Sequence, residues 1–161
     1  MKIIEYEEKY LEDVRDLLVE LEEYIVSIDQ DELDMVHPEY REKMAIIDLD
    51  DVNKNEGMCY LALEDDKVIG LIMGCIFPYS EYDYLDYKCP KRGEITELIV
   101  KNDTRGKGVG KSLMDKMETY FKEKGCEYVF VEVFAYNDNA FNFYNRDGYH
   151  SRMHHMIKKI K

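Results

Sequence analysis

The sequence predicts an α/β domain built on a mixed sheet, and three observations lead there. Two apolar runs, Met58–Leu63 and Lys67–Phe77, are separated only by Glu64-Asp65-Asp66, which reads as a β-hairpin. From Glu94 onward, strand patterns and helix patterns alternate, as they do where helices cross between parallel strands. Between the first of these strands and its helix lies RGKGVGK, residues 105–111, a basic turn rich in glycine. The whole order is β-α-α-β-β-β-α-β-α-β.

The elements follow from pattern. KIIEY, residues 2–6, reads as a short first strand. Leu11, Val14, Leu17, Leu18, Leu21, Tyr24, Ile25 and Ile28 recur with the spacing of a helix that buries one face. An acidic connection, DQDELDMV, covers residues 29–36. His37-Pro38 fits a helix start, with proline in the first turn. Tyr40, Met44 and Ile47 mark a second, shorter helix that NKNEG, residues 53–57, closes. The hairpin comes next, and its second strand, VIGLIMGCIF, is apolar enough to be central and buried on both faces. Residues 78–93, PYSEYDYLDYKCPKRG, form a long loop in which Tyr79, Tyr82, Tyr84 and Tyr87 mix with Glu81, Asp83 and Asp86. Tyrosines among carboxylates can wall a cation site.

Glu94–Val100 is a strand. Val109, Leu113, Met114, Met117, Tyr120 and Phe121 then give a helix that ends at Lys124-Gly125. Glu127–Phe134 reads as another strand. Asn137–Arg146 is a short helix capped by Asn137 or Asp138 and stopped at Asp147-Gly148. Tyr149–Ile160 is expected as a final strand with mixed faces. No linker or repeat divides the chain, so residues 1–161 are read as one domain.

Composition excludes several functions. The formal net charge is −13, which argues against nucleic acid and against an anionic membrane surface as partners, and favours a cationic substrate. No apolar run is long enough to span a bilayer, and MKIIEYEEKY turns acidic too soon for a secretory signal. Cys59, Cys75, Cys89 and Cys126 include no C-x-x-C pair, so no zinc or dithiol chemistry is expected, and a cytoplasmic protein with reduced cysteines follows. His154 and His155 are adjacent on the expected last strand and face opposite ways, so they form no metal pair. No metal is implied.

The glycine-rich turn stands out. Three glycines at a helix start cost stability, at roughly 1 kcal/mol each against alanine. Their use is backbone access, because the first turn of a helix offers free N–H groups and a positive dipole end to an anion. Arg105, Lys107 and Lys111 make this stretch a basic island in an acidic chain. The nucleotide-binding P-loop does not fit, since Arg105 stands where its first glycine is required. The dinucleotide fingerprint also fails, because the glycines are Gly106, Gly108 and Gly110.

R-x-x-G-x-G directly after a strand (Arg105, Gly108, Gly110) resembles the pyrophosphate-binding loop of the GNAT superfamily of acetyl-CoA-dependent N-acetyltransferases. A second stretch supports this resemblance: Asn137, Ala140, Tyr144 and Gly148-Tyr149 match the spacing that family carries after its fifth strand. With the element order, the likeness covers nearly the whole chain. It implies a mostly antiparallel sheet splayed between its two central strands and flanked by four helices. The pantetheine arm of CoA would lie in the splay, paired with main-chain groups of Leu98, Ile99 and Val100. Gly106, Lys107, Gly108, Val109, Gly110, Lys111 and Ser112, with Arg105, would hold the pyrophosphate. Asn137 would bond the pantetheine, and Tyr144 would sit near the thioester sulfur. Family members are often dimers, and the last strand offers an edge for a homodimer.

The chemistry asks for matching parts. An amine with a pKa near ~10 is protonated at neutral pH and must lose a proton before it attacks a thioester. A carboxylate can take that proton, often through water. Glu94 and Glu97 are the candidates, with Glu97 preferred as nearer the thioester. Strand alternation puts them on opposite faces unless a bulge intervenes. Tyr144 is the natural acid for the leaving thiolate. The function expected is transfer of an acetyl group from acetyl-CoA to an amine of a small cationic molecule or a peptide. The alternative is a non-catalytic module that binds acyl-CoA on the same fold.

Overall fold

A computed structural model describes residues 1–161. The chain runs β1 (Lys2–Glu5), α1 (Leu11–Ile28), α2 (Tyr40–Lys54), β2 (Met58–Glu64), β3 (Lys67–Cys75), β4 (Arg92–Val100), α3 (Val109–Glu123), β5 (Tyr128–Val131) and α4 (Asp138–Arg146). The five strands form one sheet in sequence order, antiparallel from β1 to β4 and parallel between β4 and β5. The β2–β3 hairpin turns through Asp65 and Asp66 alone, both at positive φ. Two-residue hairpin loops require that backbone, and aspartate tolerates it.

Both faces of the sheet are covered. On one, Val14, Leu17 and Leu18 of α1 and Ala45 and Val52 of α2 pack on Leu61, Leu71, Met73 and Cys75. On the other, Val109, Leu113, Met114, Met117 and Phe121 of α3 pack on Ala62, Ile72 and Ile95. Each such large side chain contributes about 1.5–3 kcal/mol on burial. Strand β3 is buried along its whole length after Lys67, as its unbroken apolar run predicts for a central strand.

Two features of β4 shape the rest of the molecule. It pairs with β5 only over Arg92–Ile95, opposite Tyr128–Val131, and then runs on alone through Val100. The sheet therefore opens into a V beside residues 96–100. The second feature is a bulge. Met73 lies opposite Glu97 and Gly74 opposite Ile95, so Thr96 is an extra residue. A bulge inverts the alternation beyond it. Glu94 faces with Cys75, and Glu97 faces with Met73, and those two β3 residues share the α1/α2 face. Both glutamates consequently point to that one face.

The expected strand over Tyr149–Ile160 is absent. Residues 149–161 carry no regular secondary structure, and residues 150–161 are exposed throughout. The segment has no single apolar face to bury, since Arg152, His154 and His155 interrupt Met153, Met156 and Ile157. It also has only the four residues of β5 as a neighbour to pair with. β5 itself is shorter than the expected Glu127–Phe134, and β3 ends at Cys75 rather than Phe77.

Candidate active site

The open side of the V begins with main chain. Lys101 N–H donates to Ile69 O of β3 at 2.9 Å. By alternation Ile99 also directs its N–H and C=O to β3, while Leu98 and Val100 direct theirs into the gap. The Val100 carbonyl accepts from Arg105 Nε at 2.9 Å. This narrows the three residues expected to face the gap to Leu98 and the Val100 N–H. Arg105 also lies over the Tyr24 ring of α1, at 5.8 Å.

After a short 3₁₀ turn at Asn102–Thr104 the chain enters the glycine-rich loop. Gly106 and Gly108 sit at φ 78° and 81°, in the left-handed region that side chains disfavour. That backbone aims successive amides outward instead of back into the loop. The N–H groups of Gly106, Lys107, Gly108, Val109, Gly110 and Lys111 have no partner in the protein. Pairing resumes at Ser112, whose N–H and Oγ both donate to Gly108 O, at 3.0 and 3.1 Å. No side chain caps α3. A run of free amides at the positive end of a fifteen-residue helix is an anion-binding nest. Lys111 does not add its charge to it. Its ammonium is held by Asp115 and, at 2.6 Å, by Asp147, which raises its pKa and turns it along the helix.

Asn137 and Tyr144 stand across the gap on and beside α4. Asn137 is the N-cap: its Oδ1 accepts from Ala140 N–H at 3.0 Å and from Tyr24 O–H at 3.4 Å. Its amide N–H₂ remains available. Tyr144 is nearly buried among Phe143, Tyr149 and the α3/α4 core, and burial followed by the nearby charge of Glu97 raises its pKa. Its hydroxyl is therefore a proton holder at any ordinary pH.

Glu97 is half-buried on the α1/α2 face. Burial, with Asp48 of α2 and Glu22 of α1 adding negative charge, pushes its pKa up to about 8. Asp48 is itself raised to about 6 by burial and by Asp51, and its Oδ2 is buried with no hydrogen-bond partner. Tyr40 completes this group, its pKa raised by burial and then by Glu22, Glu97 and Asp48. Such a pocket repels a further anion and gains from a cation.

From Glu94 a groove of about 370 Å³ opens on the same face, walled by Tyr79, Tyr87, Phe130, Asp83 and Glu132. Arg92 is stacked between Tyr79 and Phe130, at 5.0 and 4.8 Å from the ring centroids. The tyrosine-rich loop thus divides. Tyr79 and Tyr87 line the groove, while Tyr82 and Tyr84 point to solvent.

Residues 14–149 match the model of the acetyltransferase (GNAT) family. The chain belongs to the GNAT family. Among its relatives is an uncharacterised N-acetyltransferase of Methanocaldococcus jannaschii, 35% identical over 94 residues, 58% of this chain and 53% of that protein. An N-alpha-acetyltransferase of Arabidopsis thaliana is 30% identical over 92 residues, 57% of this chain and 44% of that protein. The matches span about half or less of the length of these curated relatives. Two solved structures share the fold. A mutant Bacillus halodurans protein has a TM-score of 0.84 at 17% identity, with 100% of both chains covered. An aminoglycoside N-acetyltransferase in complex with CoA has a TM-score of 0.69 at 15% identity, with 99% of both chains covered. The splayed five-stranded sheet with four helices is thus a GNAT fold.

Within this GNAT domain, Glu97, Glu94, Tyr144, Asn137 and the loop residues 105–112 all border the V or the groove that continues from it. Sequence reasoning missed Asp48, Glu22, Tyr40 and Arg92. Asp48 had a signal: it lies on the stripe of α2 that Ala45 and Val52 bury. Nothing local marks Arg92, whose partners come from residues 79 and 130. No helix is long and apolar enough to cross a membrane, and no group of His, Cys, Asp and Glu is arranged to hold a metal.

Proposed function

We propose that this protein is an N-acetyltransferase that moves an acetyl group from acetyl-CoA to a primary amine of a small cationic molecule or a peptide. The observation that carries the reading is the flanking of one free strand edge. Beside β4 residues 96–100 stand Glu97 on one face, Tyr144 on the other and the free amides of Gly106–Lys111 at the far end.

In this reading the pyrophosphate of acetyl-CoA takes the amide nest, where the positive φ of Gly106 and Gly108 leaves room and donors. Leu98, Val100 and the Asn137 amide hold the pantetheine in the gap. The acceptor enters along the groove as an ammonium, where the carboxylates Asp83, Glu94 and Glu132 outnumber the guanidinium groups of Arg92 and Arg152. Binding of the cation lowers the Glu97 pKa, and the carboxylate then takes the amine proton, directly or through water. The neutral amine attacks the thioester carbon, the C–S bond breaks, Tyr144 O–H supplies a proton to sulfur, and the proton then lost from the acylated nitrogen restores the Tyr144 hydroxyl. Glu97 and Glu94 divide the work: the first is the base, the second guides the acceptor at the mouth. The whole chain, residues 1–161, acts as one domain. We place it in the cytoplasm, as a monomer or homodimer.

The test is release of free CoA thiol on incubation with acetyl-CoA and a broad panel of diamines, aminoglycosides and basic peptides. Turnover with at least one cationic acceptor is expected. Binding of acetyl-CoA with no thiol release from any acceptor would replace this reading with a non-catalytic acyl-CoA-binding module.

A further inference from the structure

The chain carries its own basic segment beside the groove. Residues 150–161 include Arg152, Lys158, Lys159 and Lys161 and no acidic residue, in a protein of net charge −13. The segment makes no backbone hydrogen bond beyond Tyr149, no ion pair and no side-chain hydrogen bond. Its one attachment lies at the groove. Arg152 and Met153 line it, and the Arg152 guanidinium lies over the Tyr87 and Phe130 rings, at 5.9 and 6.0 Å. Past Met153 the chain is free and exposed, Met156 at 95% and Ile160 at 85%.

We propose that the protein acetylates its own Lys158, intramolecularly, using the transfer activity proposed above. This inference rests on that reading. The groove already holds a cationic side chain of this segment between aromatic rings and carboxylates, so the segment is seated as an acceptor peptide would be. Lys158 is five residues past Met153, a reach of up to about 17 Å for extended chain. Glu97 lies three residues beyond Glu94, which lines the groove, a distance of about 10 Å along the strand. The tether is therefore long enough to reach from the groove to Glu97, and Lys158 is the first lysine past the anchor. Tethering also presents Lys158 at a high effective concentration.

The step balances without any further reactant. Lys158 Nζ loses a proton to Glu97 and attacks the acetyl carbon. The N–C bond forms, the C–S bond breaks, the thiolate takes the Tyr144 proton, and the second proton lost from Nζ restores the Tyr144 hydroxyl. The products are acetyl-Lys158, CoA and the proton that Glu97 returns to solvent. The modification removes a positive charge from the segment that occupies the groove mouth.

The experiment is intact-mass and peptide-mapping spectrometry of the full chain incubated with acetyl-CoA alone. One acetyl group is expected at Lys158, with a first-order rate unchanged on about tenfold dilution of the protein, as an intramolecular step requires. Lys158→Arg should abolish the adduct, and Tyr144→Phe should slow it in proportion to its effect on amine turnover. Equal acetylation of Lys2, Lys67 and Lys158 would mean chemical background and would overturn the proposal. So would a rate proportional to protein concentration, or a full adduct that persists in the Lys158→Arg protein. The triple variant Lys158→Arg, Lys159→Arg, Lys161→Arg separates the two readings. If it acetylates an external amine while the wild-type segment stays unmodified, only the self-acetylation fails. If neither protein acetylates any amine, the transferase reading fails with it.

Discussion

The loop at 106–111 and the carboxylate face around Glu97 are built from opposite materials. The loop offers a ligand main chain, the free amides of Gly106–Lys111. Two of the charged side chains in and beside it are turned aside, Lys111 to Asp115 and Asp147 and Arg105 to the Val100 carbonyl. The face around Glu97 presents side chains drawn from α1, α2 and β4, and every one of them is acidic or phenolic. An anion that never changes suits a rigid array of amides, which needs only glycine and a helix start. A reacting amine that must change its charge suits half-buried titratable groups, whose surroundings can move a pKa by units.

The comparison breaks most visibly at Gly108. A Cβ added there meets no neighbouring atom, but the φ of 81° is strained for a β-branched residue. The loop would rearrange and lose several charge-assisted amide bonds. Acetyl-CoA affinity should fall by about 100-fold or more, measured by calorimetry, with an unchanged circular dichroism spectrum. A Gly108→Val protein that binds as tightly as wild type would remove the main-chain account.

Glu97→Gln acts on the other half. It should lower kcat/KM by about 100-fold and leave acetyl-CoA affinity alone. The pH profile sharpens this. A base raised to about 8 is protonated and idle below that value, so wild-type kcat/KM should climb as pH rises through about 8. In Glu97→Gln that limb should vanish. Stability moves the other way. Glu97 keeps its proton in the folded state at pH values where the unfolded chain, near 4.5, has lost it. Folding stability should therefore fall as pH rises from about 4.5 to about 8, and Glu97→Gln should flatten that slope in denaturant titrations.

Asp48→Asn is a subtler probe. Removing this unpartnered carboxylate, the larger of the two negative charges that hold the Glu97 pKa up, should bring the rising limb of the pH profile to lower pH. In a Glu97→Gln background the same substitution should leave the profile unmoved; a shift there would show that Asp48 acts on the reaction by another route. The smallest effect belongs to Lys111→Met. Its ammonium is already committed to two carboxylates, so acetyl-CoA affinity should weaken by no more than about threefold, within the range of a surface ion pair.

The two halves also differed in how far the sequence revealed them. Gly106, Gly108 and Arg105 could be read directly, because a left-handed backbone at a helix start leaves its mark in residue type. The hairpin at Asp65-Asp66 and the buried β3 were legible for the same local reason. The carboxylate face was not. Alternation alone set Glu94 and Glu97 on opposite faces, and only the register of β4 against β3 reveals the extra residue at Thr96 that brings them together. Glu22 and Tyr40 join Glu97 across helices far apart in sequence, and pairing of that kind leaves no local pattern. The expected strand at 149–160 failed for a related reason. Its β-type composition was local, but a strand needs a partner edge, and four residues of β5 do not supply one.

Hydrogen–deuterium exchange with and without acetyl-CoA tests the central claim most directly. The amides of Gly106–Lys111 are free in the protein, so they should exchange fast alone and slow markedly once acetyl-CoA is bound, and this protection should persist in Lys111→Met. Saturating acetyl-CoA that leaves these amides exchanging at their free rate would contradict the account, whatever else in the chain became protected.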